Sequence, residues 1–432
     1  MSPSRNPMVD VLIVGAGPAG LSAGITAAEH GKRVLVLDQG MRPGGQIWRH
    51  RSAAQLPGRA RDMLEHARRA GVTIASGARV VDALSAGELL VDFRGRLDRQ
   101  RTSALILATG ARERFVPFPG WTLPGVVGVG GIQALLKSGV SFAGSRVVIA
   151  GSGPLIFPVA AALATAGADL LVVAEQASRA NMLGFGTALF AKPSALKQAA
   201  KYRWAFRRTP LRTSSWVTAA EGFGRVRRAM VNERGRVAPY DCDWLATSAG
   251  LVPSTELAQV LGCRLAADAI DVDAGQATSL PGVWAAGECT GVKGDEAAVV
   301  EGAIAGHAAA GHDADGAAGS LQRARRAGRR FGERLARAFA ARSELLHLAD
   351  AETILCRCED VRKGDIDPAW TQRQAKLWTR VGMGECQGAI CGPACATLFG
   401  WQQNITRAPI GAPMCGAWGE LLGETREERR EM

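Results

Sequence analysis

The stretch DVLIVGAGPAGLSAGITAAEHGKRVLVLDQG, residues 10–40, decides the fold of this 432-residue chain. A short apolar run, Val11–Val14, precedes glycines in the G-x-G-x-x-G spacing, and a second apolar run, Val34–Leu37, follows an alanine-rich segment. This order predicts a buried parallel strand, a tight turn, a helix and a second strand. Asp38 ends the second run at about the distance expected of an acid that binds a ribose hydroxyl.

The glycines of this turn have separate tasks in a dinucleotide site. Gly15 permits the tight turn, Gly17 lets the backbone approach a pyrophosphate, and Gly20 lets helix and strand pack closely. The helix N-terminus then offers N–H donors and a favourable dipole to the anion. A glycine-rich turn without a ligand is the alternative, but strand, helix, second strand and acid all agree with a dinucleotide. The predicted site residues are Gly15, Gly17, Pro18, Ala19, Gly20 and Asp38.

Three later segments point to FAD as this dinucleotide. RPGGQIW (42–48) resembles the loop that two-dinucleotide flavoproteins lay along the flavin, and ALILATGARE (104–113) resembles their strand that ends beside the cofactor. TSLPGVWAAGECTG (278–291) resembles the late FAD motif, whose acid binds the ribityl chain and is commonly Asp. The order of the motifs is similar to that of glutathione- and thioredoxin-reductase-like flavoproteins. The resemblance implies FAD contacts at Gly45, Gln46, Ala108, Thr109, Gly110, Gly287 and Glu288.

A second strand–turn–helix–strand pattern follows at RVVIAGSGPLIFPVAAALATAGADLLVVAEQ, residues 146–176. In the flavoproteins that the chain resembles, this inserted domain binds NAD(P)H. Gly151 and Gly153 are present, but Ile156 stands where the third glycine is expected, which separates helix and strand or changes the turn. Glu175 ends the second strand and favours a free 2′-hydroxyl over a 2′-phosphate. NAD(H), another adenine nucleotide and no ligand all remain open for this site.

The cysteines are confined to the second half of the chain, since residues 1–241 contain none. Disulfide reductases of this shape carry a closely spaced cysteine pair beside the flavin, so the chain is not expected to be a dithiol reductase. Cys242, Cys263 and Cys289 are isolated in sequence and are predicted to be small buried residues.

The C-terminal cysteines are paired. Cys356 and Cys358, and then Cys386 and Cys391, give the pattern C-x-C-x27-C-x4-C. Four thiolates suit zinc or an iron–sulfur cluster, and the C-x-C pair fits the usual zinc spacing less well. Nearby glycines expose N–H groups that can bond to cluster sulfurs. Cys395 and Cys415 are alternative ligands.

The motif CRCED…GMGECQGAICGP resembles the [2Fe–2S] domain related to bacterioferritin-associated ferredoxin. That domain is fused to FAD subunits of bacterial heteromeric amino-acid dehydrogenases: opine oxidases, proline and hydroxyproline dehydrogenases and hydrogen cyanide synthase. The resemblance implies that the four paired cysteines ligate a [2Fe–2S] cluster. It also implies that a separate flavoprotein subunit oxidises the C–N bond. A further candidate partner is a small ferredoxin-like subunit.

The net charge of +12 is concentrated in two stretches, Lys197–Arg212 and the eight arginines between Arg323 and Arg342. The first is interpreted as a solvated helix face with buried Tyr202, Trp204 and Phe206, and not as a nucleic-acid site. The second suits an amphipathic linker helix, for which docking to a partner or peripheral attachment to the inner face of the membrane is the alternative to plain packing. A signal peptide is not recognised, which predicts a cytoplasmic protein.

The predicted fold class is α/β, with two Rossmann-like dinucleotide-binding domains and a small C-terminal [2Fe–2S] domain. The expected boundaries are 1–115 with 245–315 for FAD, 116–244 for the inserted nucleotide domain, 316–350 for the linker helix and 351–432 for the cluster. The expected function is electron transfer within a hetero-oligomeric dehydrogenase that acts on an amino acid, imino acid or opine. The alternatives are a self-contained NADH-dependent reductase and a zinc-stapled assembly subunit. No acid–base residues stand out as catalytic.

Overall fold

The computed structural model describes residues 8–190, 193–312, 319–401 and 406–411. The chain divides into two compact units. The first unit comprises Met1–Arg112, Pro253–Gly332 and Asn404–Met432, and the second comprises Glu113–Val252 and Glu333–Gln403. The units group the tail up to Gln403 with the inserted segment, whereas the sequence suggests a separate cluster domain. The domain boundaries given above remain predictions.

The described elements are as follows in chain order. The strands are β1 (Val9–Val14), β2 (Val34–Asp38), β3 (Thr73–Ser76), β4 (Ala78–Ser85), β5 (Glu88–Phe93), β6 (Arg96–Leu107), β7 (Ala111–Glu113), β8 (Val126–Gly128), β9 (Arg146–Gly151), β10 (Asp169–Glu175), β11 (Leu211–Thr213), β12 (Ser215–Glu221), β13 (Arg228–Glu233), β14 (Arg236–Asp241), β15 (Trp244–Ser248), β16 (Leu251–Pro253), β17 (Leu265–Ala266), β18 (Ala269–Ile270), β19 (Val283–Ala285), β20 (Ile354–Cys356) and β21 (Val361–Arg362). The helices are α1 (Pro18–Glu29), α2 (Gly58–Arg69), α3 (Val129–Lys137), α4 (Ile156–Thr165), α5 (Arg179–Phe190), α6 (Pro193–Ala205), α7 (Glu256–Leu261), α8 (Asp295–Ala309), α9 (Gly319–Ala338), α10 (Gln372–Thr379) and α11 (Cys391–Phe399).

The first unit is built on a sheet of order β3-β2-β1-β6-β5-β4, and β19 also pairs with β6. Strand β6 changes partners along its length: residues from Thr102 onward pair with β1 in parallel, and Arg96–Arg101 pair with β5 in antiparallel register. The apolar runs at the centre of β1 and the end of β6 are fully buried, as expected of strands covered on both faces. The first predicted Rossmann unit is therefore present.

Helices α1 and α8 cover one face of this sheet at close range. A Cβ atom built on Gly302 would lie 2.2 Å from the carbonyl oxygen of Ala19, and one on Gly306 would lie 2.5 Å from that of Ala23. Because these distances are shorter than any real carbon–oxygen contact, only glycine allows the two helices to pack so closely. Helix α1, which carries the first glycine turn, is thus held by a helix from late in the chain.

The second unit has a parallel sheet of order β11-β10-β9-β15-β8 and an antiparallel sheet of order β12-β13-β14. Its core includes Phe142, Ile149 and Phe206, which are buried. The second Rossmann-like unit is therefore also present, and the predicted α/β class is confirmed. One detail of the sequence interpretation is wrong: Trp204 is exposed, and its ring lies at the surface with the guanidinium of Arg207 over one face.

The basic linker forms α9, which begins in the first unit and ends in the second. Gly328 and Gly332 lie on its packed face in the first unit, where added Cβ atoms would meet Ala297 at 2.8 Å and Lys293 at 2.6 Å. The helix ends at Ala338, earlier than the predicted linker helix over 316–350 suggests. The backbone groups that follow bond instead to side chains of the second unit, Ser152 and Gln176.

The tail of the second unit forms a small core of its own. The hairpin β20–β21 packs with α10 and α11 around Leu355, Val361, Ile366 and Ala375. The indole N–H of Trp121 donates to the carbonyl oxygen of Ile354 at 2.6 Å and fixes the hairpin to the inserted segment. No helix among the described residues is both long and apolar enough to span a membrane.

Candidate functional site

The first glycine turn has the geometry of an anion cradle. Gly15 has a φ of +109°, and a Cβ atom there would lie 2.2 Å from the carbonyl oxygen of Ala108. A Cβ on Gly20 would lie 1.8 Å from the carbonyl oxygen of Gly15. A Cβ atom on Gly17, in contrast, would meet no atom within 4 Å. Pro18 begins α1 immediately after this glycine. The open side of the turn therefore faces the helix N-terminus, where a pyrophosphate would bind.

The side chain of Asp38 is hydrogen-bonded to the backbone of the first glycine turn. Its carboxylate accepts the backbone N–H of Ala16 at 2.7 Å and that of Gly40 at 2.6 Å. Burial raises its pKa, and the two backbone N–H groups partly offset this effect. The acid at the end of β2 thus braces the glycine turn, while contact with a ribose hydroxyl remains a prediction.

The loop after β2 closes on the same turn. The N–H of Gly44 donates to the carbonyl oxygen of Ala16 at 2.8 Å. A Cβ on Gly45 would lie 3.1 Å from Cα of Gly17, so glycine at 45 keeps this approach free. Gln46 is exposed and accepts a hydrogen bond from Arg49 at 2.9 Å. The structure therefore brings Gly45 to the cradle, whereas the side chain of Gln46 points to a neighbour on the surface.

The A-T-G segment lies beside the turn at the end of β6. The N–H of Ala108 donates to the carbonyl oxygen of Val14 at 2.9 Å. The hydroxyl of Thr109 donates to the carbonyl oxygen of Ser254 at 2.6 Å, and Gly110 has a φ of +71°. These contacts fix the crossover at the carboxyl edge of the sheet, where ligands of such folds bind.

The late FAD motif, residues 278–291, contains β19 and reaches the same carboxyl edge of the sheet. Gly287 has a φ of +85°, and its N–H donates to the buried carboxylate of Glu301 at 3.0 Å. Glu288 is half-buried, and burial raises its pKa, with Asp295 adding to the effect. Among the described residues its carboxylate has no hydrogen-bond partner. A half-buried, unpartnered acid fits the predicted contact with the hydroxyl groups of a ribityl chain.

One buried ion pair was missed at the sequence level. Lys293 Nζ lies 2.6 Å from Glu301 Oε1 and donates to the hydroxyl of Thr290 at 2.9 Å. The side chains of Lys293 and Glu301 are only 10% and 2% exposed. The signal available in the sequence was an acid inside the alanine- and glycine-rich run of α8, which a buried helix tolerates only when the charge is paired.

The second turn differs from the first at its third position. A Cβ atom on Gly151 would lie 3.2 Å from the Cγ2 of Ile156 and 2.8 Å from the carbonyl oxygen of Ser248. Helix α4 begins only at Ile156, two positions later in the motif than Pro18 begins α1. The isoleucine in place of glycine thus changes the turn, as predicted, and removes part of the helix terminus that a pyrophosphate would use.

The carboxylate of Glu175 faces the second glycine turn. Its carboxylate accepts the N–H of Gly153 at 2.9 Å and that of Ala177 at 2.8 Å, and the residue is fully buried. Burial raises its pKa to about 7 against the opposing effect of these N–H groups. The candidate residues of the second site therefore lie together, but the acid is not exposed to a ligand.

The tail brings its four paired cysteines into one region. Cys358 and Cys386 have their Sγ atoms 3.6 Å apart. Cys391 interacts with Cys356, and burial is the main cause of its raised pKa. The N–H of Gly382 donates to the Sγ of Cys356 at 3.5 Å, the kind of contact that a cluster sulfur accepts.

Cys358 interacts with Cys386 and Cys391 with Cys356, so the thiols meet across the two sequence pairs. Four thiolates in one region suit a [2Fe–2S] cluster, which takes two thiolates on each iron. Within the described ranges, no group of three or more His, Cys, Asp or Glu side chains is placed to hold a metal ion. Cys395 is buried near Cys356, and Cys415 lies outside the described residues. The cluster remains a prediction that the pairing supports.

The chain is similar to one family of oxidoreductases and to named subunits of two enzymes. The chain matches the family described as pyridine nucleotide-disulphide oxidoreductase over residues 9–325. It is 34% identical to the HcnB subunit of hydrogen cyanide synthase from Pseudomonas aeruginosa over 429 residues, 89% of this chain and 91% of that one. It is 33% identical to the A subunit of opine oxidase from Rhizobium meliloti, over 93% of this chain and 94% of the relative.

A solved structure extends this similarity to the fold of nearly the whole chain. L-proline dehydrogenase from P. horikoshii superposes with a TM-score of 0.65 at 19% identity, covering 96% of this chain and 80% of that one. At this level of identity, the likeness concerns the fold alone. It includes the α/β architecture that the glycine turns predicted.

Proposed function

The chain belongs to the pyridine nucleotide-disulphide oxidoreductase family, and from this premise we propose that it is the electron-transfer subunit of a heteromeric dehydrogenase. Membership of the family implies FAD binding. The subunit would carry FAD and a [2Fe–2S] cluster, and the complex would oxidise the C–N bond of an amino acid, imino acid or opine. Proline, hydroxyproline, glycine and opines are all compatible substrates.

The observation that carries this proposal is the extent of the similarity to chains named as subunits. HcnB and the A subunit of opine oxidase match about nine-tenths of the chain. A protein named as a subunit implies a second chain, and we infer that a partner flavoprotein removes the electrons from the substrate. We therefore propose that the protein functions as a subunit of a hetero-oligomer.

The residues of the first unit would bind the cofactor. Gly15, Gly17 and the start of α1 would hold the pyrophosphate, and Glu288 the ribityl hydroxyls. Bound FAD supplies chemistry that accepts electrons singly or in pairs, which suits exchange with a one-electron cluster. The cluster ligands that we propose are Cys356, Cys358, Cys386 and Cys391. A cytoplasmic location remains a proposal from the sequence.

The experiment is isolation of the native complex under mild conditions, followed by identification of its subunits. The complex is then screened with proline, hydroxyproline, glycine and an opine, using an artificial electron acceptor. We expect co-purification of a second flavoprotein and turnover of one of these substrates. Turnover by the isolated chain with NADH alone, without a second flavoprotein in the native preparation, would instead support the self-contained reductase.

A further inference from the structure

The segment that follows α9 lies in the second glycine turn of its own unit. We call this segment, Phe339–Arg342, the strap. Ser152, which stands between the two glycines of the turn, donates its hydroxyl to the carbonyl oxygen of Phe339 at 3.0 Å. Ser152 is buried by this arrangement. A backbone carbonyl therefore lies against the residue that normally borders a bound pyrophosphate.

Gln176 holds the rest of the strap. Its side-chain N–H donates to the carbonyl oxygen of Ala340 at 3.0 Å, and its oxygen accepts the N–H of Arg342 at 3.0 Å. The same side chain donates to Ser152 at 2.8 Å, and only 1% of Gln176 is exposed. All polar atoms of this amide are thus used to bind the chain itself.

The ring of Phe339 faces Gly153, the glycine whose backbone must stay uncovered for a pyrophosphate to approach it. A Cβ atom on Gly153 would lie 3.9 Å from Cγ of Phe339, whereas the equivalent atom on Gly17 would meet nothing within 4 Å. The two turns share the G-x-G pattern, but only the first is open on the ligand side. Phe339 also packs edge-to-face on Phe185, with ring centroids 5.2 Å apart.

The end of the strap is fixed as well. The guanidinium of Arg342 lies over the ring of Trp216, 4.8 Å from its centroid. Glu175 accepts backbone N–H groups of its own turn, as Asp38 does in the first turn, so the acids do not distinguish the two sites. The difference is the strap, whose atoms lie against the glycine turn where a pyrophosphate would bind.

We propose that the strap is a built-in occupant of the second dinucleotide site, and that the chain binds no pyridine or adenine nucleotide there while the strap is in place. The second Rossmann-like sheet then serves as an anchor for the segment that leads to the cysteine-bearing tail. This inference stands on the second unit alone and does not depend on the amino-acid chemistry proposed above.

The test uses the full FAD-loaded chain with ADP-ribose as probe, measured by isothermal titration calorimetry. Hydrogen exchange at the amide of Arg342 reports whether the strap is in place, because that N–H is bonded to Gln176. We expect no binding by the natural chain up to about 1 mM ADP-ribose and slow exchange at this amide. Binding at micromolar concentration with the amide still protected would overturn the proposal.

Two kinds of variant loosen the strap. Phe339→Ala removes the ring over Gly153, with Phe223→Ala as control, since Phe223 is exposed in the same unit. Arg342→Pro removes the N–H at a φ of −71°, which proline adopts, while Arg342→Ala removes the same side chain and keeps the N–H. We expect ADP-ribose to bind Arg342→Pro about two- to tenfold more tightly than Arg342→Ala, as the loss of one hydrogen bond allows.

The outcomes separate cleanly. Gain of binding in Phe339→Ala and Arg342→Pro, together with faster exchange along the strap, supports the proposal. If both variants retain FAD and exchange faster along the strap but bind no ADP-ribose, the strap is not what excludes the nucleotide, and the proposal fails. Should Phe339→Ala not fold, the two Arg342 variants carry the comparison.

Discussion

The Sγ atoms of Cys358 and Cys386 lie 3.6 Å apart, although they are separated by 28 positions in the sequence. Hairpin β20–β21 and the loop before α11 bring them together, and Cys391 interacts with Cys356 in the same region. Free thiols gain little from such proximity, whereas a bound cluster needs it. This relationship gives the first prediction.

Replacing Cys358 by serine should remove the cluster. We expect iron and acid-labile sulfide to fall from about two of each per chain to nearly none, because one thiolate of a four-ligand set is lost. The visible absorbance that does not arise from flavin should fall with it. Cys395→Ser is the matched control and should keep its iron. Equal loss of iron in both variants would assign Cys395 as a ligand in place of one of the four.

Alanine at Gly17 should weaken FAD binding without disturbing the fold. The added methyl group meets no protein atom within 4 Å, but it points into the space of the predicted pyrophosphate. We expect the dissociation constant for FAD to rise roughly tenfold or more, measured by flavin fluorescence on reconstitution. Gly58→Ala, also in open space at the start of α2, is the control. Unchanged FAD affinity in Gly17→Ala would contradict the cradle.

Neutralising Lys293 should destabilise the first unit. Lys293→Met leaves the carboxylate of Glu301 buried without its cation, a loss that typically costs about 3–5 kcal/mol. Adding Glu301→Gln removes the buried charge and should recover part of this loss. Urea unfolding of the single and double variants measures both effects. Lys197→Met, at an exposed position of α6, should change stability little.

The stability of the second unit should depend on the protonation of Glu175. Its pKa is raised to about 7 in the fold, above the ordinary value of 4.5, so the folded chain holds this proton longer than the unfolded chain. Stability from this group is therefore complete below about pH 4.5 and falls by roughly 3 kcal/mol as pH rises to 7.

Glu175→Gln checks this dependence, because an amide does not titrate. Urea unfolding of both proteins at pH 5 and pH 7, followed by tryptophan fluorescence, gives the difference that belongs to Glu175. We expect a smaller decline for the variant than for the natural chain. Parallel declines in the two proteins would mean that the carboxylate keeps an ordinary pKa in the fold.

Local sequence rules predicted the elements that have local causes. The glycine spacing at Gly15–Gly20 and at Gly151–Gly153 fixed two strand–turn–helix units, since steric demands on a tight turn are the same wherever it occurs. The substitution of Ile156 for glycine correctly indicated an altered second turn. The paired cysteines likewise indicated thiols brought together by the fold, although their bound group is untested.

Contacts between distant segments could not be predicted from the sequence. Nothing in the composition of Phe339–Arg342 distinguishes it from any other end of a basic helix, because its partners are an amide and a hydroxyl more than 160 positions away. Trp204 was assigned to the core because aromatic residues usually are, but an adjacent arginine covers its face at the surface. In each case the deciding partner could be identified only in the fold.

The packing of α8 on α1 has a consequence for the order of events during synthesis. The first strand and the glycine turn leave the ribosome early, yet β19 and α8 follow only after the whole inserted segment Glu113–Val252. Gly302 and Glu288 belong to that late part, so the site of the first unit is incomplete until about residue 310 has been made. The predicted cofactor contact at Glu288 can therefore form only after roughly two-thirds of the 432 residues have been made.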